Sequence, residues 1–514
     1  MLLKAKNLKT SASGKKIVII NEADLHNFGT RIPTRVKISF KERTITAIPN
    51  VTKTLVEKGY IGLYEDVSSA LKVKDGEEVG VNLAPFPESL TYIKKKLKGK
   101  KLEYEEFYKI VKDVVEGNLT ESEITSFVIG LHAFGLDLSE AASLTMAMVE
   151  TGERLELKKK IVLDKHNIGG SIGDKTSMLL VPIIASLGYT IPKTSSRAIT
   201  SPAGTADKVE TIMPVDLTID EMKEVVEKTN GCLVWGGALH LAPADDIFIR
   251  IEYPLEIDPL LFPSIMAKKK AVGATHLVID IPTGRGAKVK TIGDAQILAK
   301  DFITLGSMLK IKVNAAITYG EQPIGYSIGA GLEAKEALEI LMRKKIVEDQ
   351  IDKVANVAGI LLSMIGKDNG KELAIKILKS GKGEKKFREI IEAQGGNPNI
   401  KSEDIPIGKY TYDFVAEEDG FVIWMDNGGF ASLARAAGSP IFKGAGIVLY
   451  KKVGDVVKKG EKVFTIYAES ESKLEEALKV LKEETIIGIG KKRKMLIERV
   501  EDKLVAKKRF ILER

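Results

Sequence analysis

Short alternations of β-branched and polar residues dominate the first part of the chain. Such runs lie at residues 16–20, 35–40 and 44–48, and glycine, asparagine and charged residues separate them. Runs of this length that are bounded by turn residues are typical of β-strands. The pattern therefore predicts a β-rich N-terminal domain over residues 1–84.

A helical pattern replaces this alternation at Pro85. Apolar residues recur at helical spacing in the segments 89–97, 104–115, 121–134 and 139–150, and glycines interrupt the pattern between them. Thr120 and Glu123 form the sequence of a capping box at the start of the third segment. These features predict a small helical domain over residues 85–160.

From Lys160 onward, short apolar strands run into turns and then into helices. Strands are predicted at 161–163, 190–192, 276–281 and 310–317, and the later helices at 292–304 and 332–343. This alternation indicates βαβ units and a parallel sheet. We expect an α/β domain built from residues 161–234 and 274–395. Residues 235–273 break the rhythm and are expected to join the helical domain, which would leave a cleft beside the sheet.

The last part of the chain changes character once more. Residues 394–406 read as a linker, because they are rich in glycine, asparagine and proline. Strands that alternate with glycine turns, followed by one helix, predict a C-terminal α+β domain over residues 407–490, and a basic tail follows at 491–514. The whole chain is therefore predicted to be a multidomain α/β protein.

Composition and charge narrow the possible functions. The 514 residues carry 78 Lys and Arg against 70 Asp and Glu, a mild surplus that argues against a dedicated nucleic-acid-binding protein. The longest nearly apolar stretch, residues 178–189, contains Pro182 and falls short of the roughly 20 residues that span a bilayer. The N-terminus lacks the features of a secretory signal, which predicts a cytoplasmic protein. The single cysteine, Cys232, excludes internal disulfides and cysteine-built metal sites.

The most informative stretch is the glycine-rich segment 164–177, which reads DKHNIGGSIGDKTS. Glycines allow a tight turn in which several backbone N–H groups converge ahead of a helix N-terminus, a geometry that favours anions. Lys165 adds a cation, and Asn167 and Ser177 add neutral donors, so the segment suits a phosphate better than a merely structural turn. Asp174 separates the last glycine from Lys175, so this is not a Walker A loop.

Two further turns follow predicted strands of the same sheet. Segment 195–207 is dense in hydroxyl groups and contains Arg197, although such a segment taken alone could be a simple helix cap. Segment 280–288 is rich in glycine and places Lys288 after the strand at 276–281. The carboxyl ends of parallel strands open on one crevice. The sequence therefore predicts neighbouring anion-binding loops, for a substrate that carries a phosphate and for a second phosphate species.

The first loop closely resembles the phosphate-binding signature of the thymidine and pyrimidine-nucleoside phosphorylase family, DKH(S/T)TGGVGDKTS, which is one residue shorter. Residues 264–269, SIMAKK, resemble the base-binding SILAKK segment of that family. The resemblance spans residues 85 to 490. The chain departs from this family in two features. Its second loop reads SSRAITSPAGT in place of SGRGLGHTGGT, and an extra domain precedes the shared part. Both features resemble the archaeal AMP phosphorylase branch.

The resemblance implies a reaction and a set of residues. A nucleoside 5′-monophosphate, AMP and also CMP and UMP, would react with inorganic phosphate to give the free base and ribose 1,5-bisphosphate, without a metal or a cofactor. By matching motif, Lys165, Asn167 and Ser177 would hold the attacking phosphate, and Asp258 would donate a proton to the base, with Glu256 as a rival. The residues implied to bind the nucleotide are Gly170, Ser196, Arg197, Ala198, Ile199, Thr200, Ser201, Thr205, Ser264 and Lys288.

Other interpretations stay open at this point. A nucleoside phosphorylase for thymidine or uridine would share most motifs, and an anthranilate phosphoribosyltransferase, a distant relative by fold, would require magnesium. A non-catalytic nucleotide sensor is a different class that keeps the same loops. His166 either faces the sugar or base or serves as a structural hydrogen-bonding group. The family resemblance also implies a homodimer or a larger homo-oligomer.

Overall fold

Residues 1–28 and 35–83 form a closed β-barrel in the computed structural model, which describes residues 1–28, 35–198 and 201–491. Around the barrel the strand order is β1-β5-β2-β4-β3-β6, with parallel pairs β1–β5 and β2–β4 and the remaining pairs antiparallel. Its elements are β1 (Leu2–Asn7), β2 (Ile17–Asn21), β3 (Val36–Phe40), β4 (Arg43–Thr52), β5 (Tyr60–Leu63), α1 (Glu65–Leu71) and β6 (Glu78–Leu83), with a 3₁₀ helix at Glu22–Phe28.

A helical unit follows the barrel, at the four predicted segments. It contains α2 (Ser89–Lys96), α3 (Tyr104–Val115), α4 (Glu121–Phe134) and α5 (Leu138–Glu150). Thr120 accepts a hydrogen bond from the backbone N–H of Glu123, as the predicted capping box requires. Two later helices, introduced below, pack into the same apolar core through Phe248 and Ala267.

The α/β unit carries parallel strands with helices on both faces. It comprises β7 (Leu163–Asn167), α6 (Thr176–Ser186), β8 (Ile191–Ser195), α7 (Thr205–Val209), α8 (Ile219–Thr229), β9 (Gly231–Trp235), α9 (Pro243–Leu255), α10 (Leu261–Ala271), β10 (His276–Thr283), α11 (Ile292–Met308), β11 (Lys312–Tyr319), β12 (Ser327–Ile328), α12 (Ala330–Leu341), α13 (Glu348–Ser363), α14 (Gly370–Ser380) and α15 (Lys382–Ala393). The helices α9 and α10 are the two that join the helical unit.

The sheet of this unit has the order β11-β10-β7, and all of its pairs are parallel. A parallel bridge between Val162 and Thr190 connects it to the parallel pair β8–β9. Successive residues of β10 point to opposite faces, as strand geometry requires. Val278 packs into the core beneath α6 and α13, whereas Leu277 and Ile279 pack with α5, α10 and α11.

The C-terminal part is an α+β unit with two antiparallel sheets. Its strand β12 comes from the α/β unit, so the sheet β12-β15-β17-β13 ties the two parts together. A second sheet has the order β16-β14-β18. The elements are β13 (Tyr410–Val415), β14 (Gly420–Met425), α16 (Asn427–Ala436), β15 (Gly446–Leu449), β16 (Val456–Val457), β17 (Lys462–Ala468), α17 (Glu471–Glu483) and β18 (Ile487–Gly490), after a 3₁₀ helix at Ser402–Asp404. The tail that the sequence predicts at 491–514 lies, beyond residue 491, outside the described residues.

Two predicted strand positions are wrong by several residues. The strands predicted at 161–163 and 190–192 extend instead over Leu163–Asn167 and Ile191–Ser195. Apolar periodicity missed these ends because their charged residues are buried: Asp164 and Lys165 lie inside β7, and Lys193 lies inside β8. Ion pairs compensate the burial of Asp164 and Lys165, and a hydropathy pattern does not record such pairing.

Buried and exposed ion pairs both connect the barrel to the helical unit. Arg35 is 2% exposed, pairs with Glu123, and donates a hydrogen bond from Nε to the backbone oxygen of Asn118 at 2.9 Å. Its guanidinium also lies over the ring of Phe86, 5.7 Å from the centroid. The second pair, Lys15 with Glu121, is largely exposed to solvent.

We therefore expect Arg35→Ala to weaken the attachment of the barrel by about 3 kcal/mol, because it leaves a desolvated carboxylate without its partner. Lys15→Ala, the matched control across the same boundary, should cost less than about 1 kcal/mol. Hydrogen-exchange mass spectrometry resolves the opening of residues 1–83 from that of the remaining chain. Equal protection of the barrel amides from exchange in Arg35→Ala and Lys15→Ala would contradict the larger contribution of Arg35.

Candidate active site

Two adjoining cavities lie beyond the carboxyl ends of β7, β8 and β10. The smaller, of 290 Å³, is lined by both predicted anion loops. The larger, of 820 Å³, is lined by α9, α10, α16 and the turn after β10. His166, Ile168 and Ser196 line both cavities and thus mark the boundary between them.

Most of the predicted site residues line one cavity or the other. The smaller cavity is lined by Lys165, Asn167, Gly170, Ser177, Ser196, Arg197, Ser201 and Thr205. The larger cavity is lined by Ser196, Glu256, Asp258, Ser264 and Lys288. Ala198 lines neither, and its backbone N–H donates to Asp207 at 2.7 Å. The predictions for Ile199 and Thr200 lie outside the described residues.

Two glycines of the first loop allow the close approach of other segments. Gly170 has a φ of +89°, and a Cβ at this position would overlap the backbone nitrogen of Lys288. Gly173 has a φ of +72°, and a Cβ there would overlap the carbonyl oxygen of Ile324. Any other residue would be strained at these angles and would also push the neighbouring segments away. Gly170 therefore brings the third turn, with Lys288, against the first loop.

A buried ion-pair cluster lies at the base of the smaller cavity. Lys165 Nζ is 3.1 Å from Asp280 Oδ2 and 3.4 Å from Asp174 Oδ2. Lys353 Nζ reaches the same two carboxylate oxygens at 3.0 and 3.5 Å. Asn167 Nδ2 donates to Asp174 at 2.7 Å and to Asp280 at 3.1 Å. The cluster fixes Lys165 and Asn167 at the floor of the cavity.

The charges of this cluster support one another. Burial opposes the ionisation of Asp174, but Lys165 and Lys353 outweigh this effect and hold the pKa of Asp174 well below its usual range. Burial likewise disfavours the ammonium of Lys353, yet Asp174 and Asp280 raise the pKa of Lys353 above its usual value. Sequence reasoning missed Lys353, because it lies in the middle of α13, far along the chain from any loop motif.

Arg197 in the second loop is held by the protein itself. Its guanidinium pairs with Glu210 at 2.7 Å, with Asp216 at 3.3 Å and with Asp207 at 3.5 Å. It also stacks over Trp235, 4.7 Å from the ring centroid. The hydrogen bond from Arg197 lowers the pKa of Glu210 to about 2. An anion can therefore bind the Arg197 guanidinium only in competition with these carboxylates.

The floor of the larger cavity carries polar groups from α10. Ser264 Oγ donates to Asp245 Oδ2 at 2.9 Å, and Lys268 pairs with the same buried carboxylate. His166 closes the cavity on the sheet side, and burial, together with Lys269 and Lys193, lowers the pKa of His166 well below its usual value. His166 therefore presents a neutral imidazole at the boundary between the two cavities.

Three carboxylic acids line the larger cavity. Asp258 is 40% exposed and pairs with Lys288, while Glu256 ends α9 in the left-handed conformation, with a φ of +53°. The third, Glu252, is buried and accepts a hydrogen bond from the backbone N–H of Leu260 at 3.2 Å. Burial, reinforced by the charge of Asp258, raises the pKa of Glu252 to about 8. The sequence offered no signal for Glu252, since it lies in the middle of an apolar helical stretch.

Within residues 1–28, 35–198 and 201–491, no group of three or more His, Cys, Asp or Glu side chains is arranged to hold a metal ion. None of the described helices is long and apolar enough to cross a bilayer.

The raised pKa of Glu252 leads to a prediction about stability. A carboxyl that titrates near 8 when folded and near its ordinary 4.5 when unfolded binds more protons in the folded state, so stability is lost as the pH rises from 4.5 towards 8. Glu252→Gln mimics the protonated acid and should raise the apparent melting temperature by about 2 to 4 °C above pH 8, with little effect near pH 5. Glu256→Gln, an exposed acid of the same cavity, is the control. An increase in the melting temperature of Glu252→Gln that does not depend on pH would contradict the raised pKa of Glu252.

The sequence matches three descriptions of protein families. Residues 90–152 match the helical bundle domain of the glycosyl transferase family, and residues 159–384 match its a/b domain. Residues 421–488 match the pyrimidine nucleoside phosphorylase C-terminal domain. The solved anthranilate phosphoribosyltransferase of Thermus thermophilus superposes with a TM-score of 0.49 at 20% identity, over 59% of this chain and 98% of that chain.

Curated relatives extend the similarity to nearly the full length. The AMP phosphorylase of Thermofilum pendens is 50% identical over 94% of this chain and 95% of its own. The AMP phosphorylase of Pyrococcus furiosus is 50% identical over 91% of this chain and 93% of its own, and that of Methanocaldococcus jannaschii is 48% identical over the same shares. Identity of this extent, which includes the barrel as well as the two cavities, shows that the chain belongs to the AMP phosphorylase family.

Proposed function

We propose that this protein catalyses the phosphorolysis of nucleoside 5′-monophosphates. AMP, with CMP and UMP as further substrates, would react with inorganic phosphate to give the free base and ribose 1,5-bisphosphate. The observation that carries this proposal is the pair of adjoining cavities. The smaller cavity suits oxyanions and the larger one suits a base, and the two cavities share lining side chains. The relatives named AMP phosphorylase support it.

In the proposed reaction, an oxygen of inorganic phosphate forms a bond to C1′ while the bond from C1′ to the base nitrogen breaks. Positive charge develops on the sugar, and the incoming phosphate stabilises it. Lys165, Asn167 and Ser177 would hold the attacking phosphate at the floor of the smaller cavity. Because the ion-pair cluster fixes Lys165 and Asn167 before substrate arrives, little reorganisation is needed when phosphate binds.

The 5′-phosphate would bind at the second loop, between β8 and α7. Ser196, Ser201 and Thr205 line this side of the smaller cavity, and Gly170 lines the opposite side. Arg197 would contribute its charge to the loop as a whole, since its guanidinium is bound to carboxylates. Ala198, Ile199 and Thr200 complete the proposed nucleotide-binding loop.

The base would occupy the larger cavity, against Ser264 and the α9–α10 connection. Asp258 would protonate the departing base and thereby lower the barrier to cleavage, with Glu256 as the alternative acid. Lys288 pairs with Asp258, so both side chains can reach the nucleotide only if this ion pair opens. Opening of the pair would then accompany nucleotide binding.

The cytoplasmic location and the homodimeric or larger assembly remain predictions. Exposed apolar side chains on the helical unit, Leu97, Ile129 and Phe134, are compatible with an assembly through that unit. Nothing in this proposal depends on the assembly.

The substrate class can be tested with one assay. Adenine should be released from AMP only when inorganic phosphate is present, and kcat/KM for adenosine should be at least about 100-fold lower, because adenosine lacks the group that the second loop would bind. The activity should survive a metal chelator. Comparable or faster turnover of adenosine, thymidine or uridine would indicate a nucleoside phosphorylase, strict Mg²⁺ dependence would indicate a phosphoribosyltransferase, and binding without turnover would indicate a sensor.

The proton donor can be tested separately. Asp258→Asn should lower kcat for AMP by about 100-fold or more while the dissociation constant for AMP changes by less than about threefold, because the amide keeps the shape but cannot donate to the base as an acid. Glu256→Gln is the matched control on the same loop and should retain most of the turnover. The reverse ranking of the two variants would assign the acid to Glu256.

A further inference from the structure

A buried lysine in β8 also faces the smaller cavity. The side chain of Lys193 is 6% exposed, and it lines the cavity together with Lys165, Ser196 and Lys208. The only hydrogen bond that its ammonium nitrogen forms among the described residues is to the adjacent backbone oxygen of Thr194, at 2.6 Å. Neither the family resemblance nor the reaction described above uses Lys193.

The carboxylates near Lys193 are already bound by other lysines. Asp164 is the nearest, with Oδ1 3.9 Å from Lys193 Nζ, but its Oδ2 accepts a hydrogen bond from Lys269 at 2.7 Å. Asp174, which lines the same cavity, and Asp280 are shared by Lys165 and Lys353. Four buried lysines, Lys165, Lys193, Lys269 and Lys353, thus accompany only three carboxylates, of which Asp164 and Asp280 are fully buried and Asp174 is 12% exposed.

The other titratable groups that face Lys193 do not supply the missing negative charge. They are Lys165 and His166 on β7, Cys232 on β9, Lys268 and Lys269 on α10, and Lys208 on α7. Lys208 and Lys268 have their own buried partners, Glu333 and Asp245. Burial raises the pKa of the Cys232 thiol, so Cys232 stays uncharged.

The charges and the burial around Lys193 therefore disfavour an ammonium ion at this position. Burial, followed by the charges of Lys269 and Lys165, lowers the pKa of Lys193 well below its usual value, although Asp164 opposes the shift. The charge of Lys269 repels an ammonium ion at Lys193, and two ammonium groups have no lone pair to offer each other. An oxyanion in the cavity would remove this penalty, because it supplies both negative charge and hydrogen-bond acceptors.

We propose that Lys193 is an additional anion-binding residue of the smaller cavity, which takes up a proton from solvent when a phosphate or a phosphate monoester enters. The inference deepens the proposed function, since it adds a binding group to the same site. The anion is either inorganic phosphate or the 5′-phosphate of the nucleotide, which share the same chemistry.

Sulfate is a suitable probe, because it stays fully ionised near neutral pH and any proton taken up must go to the protein. Isothermal titration of the full chain with sulfate, near pH 8 and in two buffers of different ionisation enthalpy, counts that proton. The wild type should take up a proton, up to about one per site. Lys193→Met should take up little or none and should bind sulfate about tenfold more weakly, because it keeps the chain length without the amine.

Two further variants separate this role from others. Proton uptake should persist in His166→Asn. If uptake is lost in His166→Asn but kept in Lys193→Met, the proton belongs to His166 and the proposal is overturned. Lys96→Met removes a buried lysine from the remote pair with Glu140, at 2.7 Å, and should lower stability without changing proton uptake. Equal uptake and equal sulfate affinity in the wild type and in Lys193→Met would also overturn the proposal.

Thermal unfolding shows whether Lys193→Met is still folded. In sulfate-free buffer, Lys193→Met should melt at the same temperature as the wild type or higher, since it removes a poorly compensated buried amine, and sulfate should raise its melting temperature less. Should Lys193→Met be unfolded, Lys193→Gln takes its place in the same measurements. A Lys193→Met protein that sulfate stabilises as much as the wild type contradicts an anion-binding role.

Steady-state kinetics then identify the anion. A rise of about tenfold in KM for phosphate alone assigns Lys193 to the attacking phosphate, and a rise confined to AMP assigns it to the 5′-phosphate; no change in either KM counts against the proposal. The two proposals fail differently. If AMP is not cleaved, the sulfate titrations still decide the role of Lys193; if only those titrations fail, phosphorolysis of AMP stands.

Discussion

Burying lysine and aspartate side chains together is the physical constraint on which this site depends. Removing such ions from water is costly, and only well-placed partners offset the cost. Here Asp280 is fully buried and still accepts from Lys165, Lys353, Asn167 and Thr318. Because β7, β10 and α13 each contribute to this network, the network fixes the charged side chains at the carboxyl end of the sheet.

This network contains more lysines than carboxylates, and the excess of lysines faces the cavity. A protein that only needed stability would gain more from apolar residues of similar volume at these positions. Retaining the charges makes sense when an oxyanion completes the network. By the same reasoning, the two proposed phosphates and Lys193 would share a single balance of charge within the 290 Å³ cavity.

The C-terminal unit contributes to the site as well as to the scaffold. Ser432 and Arg435 on α16 line the larger cavity opposite Asp258. Asn427, at the start of α16, donates to the backbone oxygen of Gly320 at 2.8 Å, and Arg285 stacks over Trp424, 5.1 Å from its ring centroid. These contacts hold the start of α16 and the end of β14 against the segments that follow β11 and β10. Because Lys288 lies in the segment that follows β10, the C-terminal unit helps to position it.

The sequence by itself determined the local elements and the chemistry of the loops. The helices of the helical unit follow from apolar periodicity, and the predicted anion loops follow from glycines beside Lys165, Asn167 and Ser177, because backbone conformation and hydrogen-bonding capacity are local properties. Tertiary structure alone decided which distant charges meet. Lys193 and Lys353 join the site, Arg197 is bound by carboxylates, and Glu252 holds its proton, since burial and charge pairing arise only when segments far apart in the chain pack together.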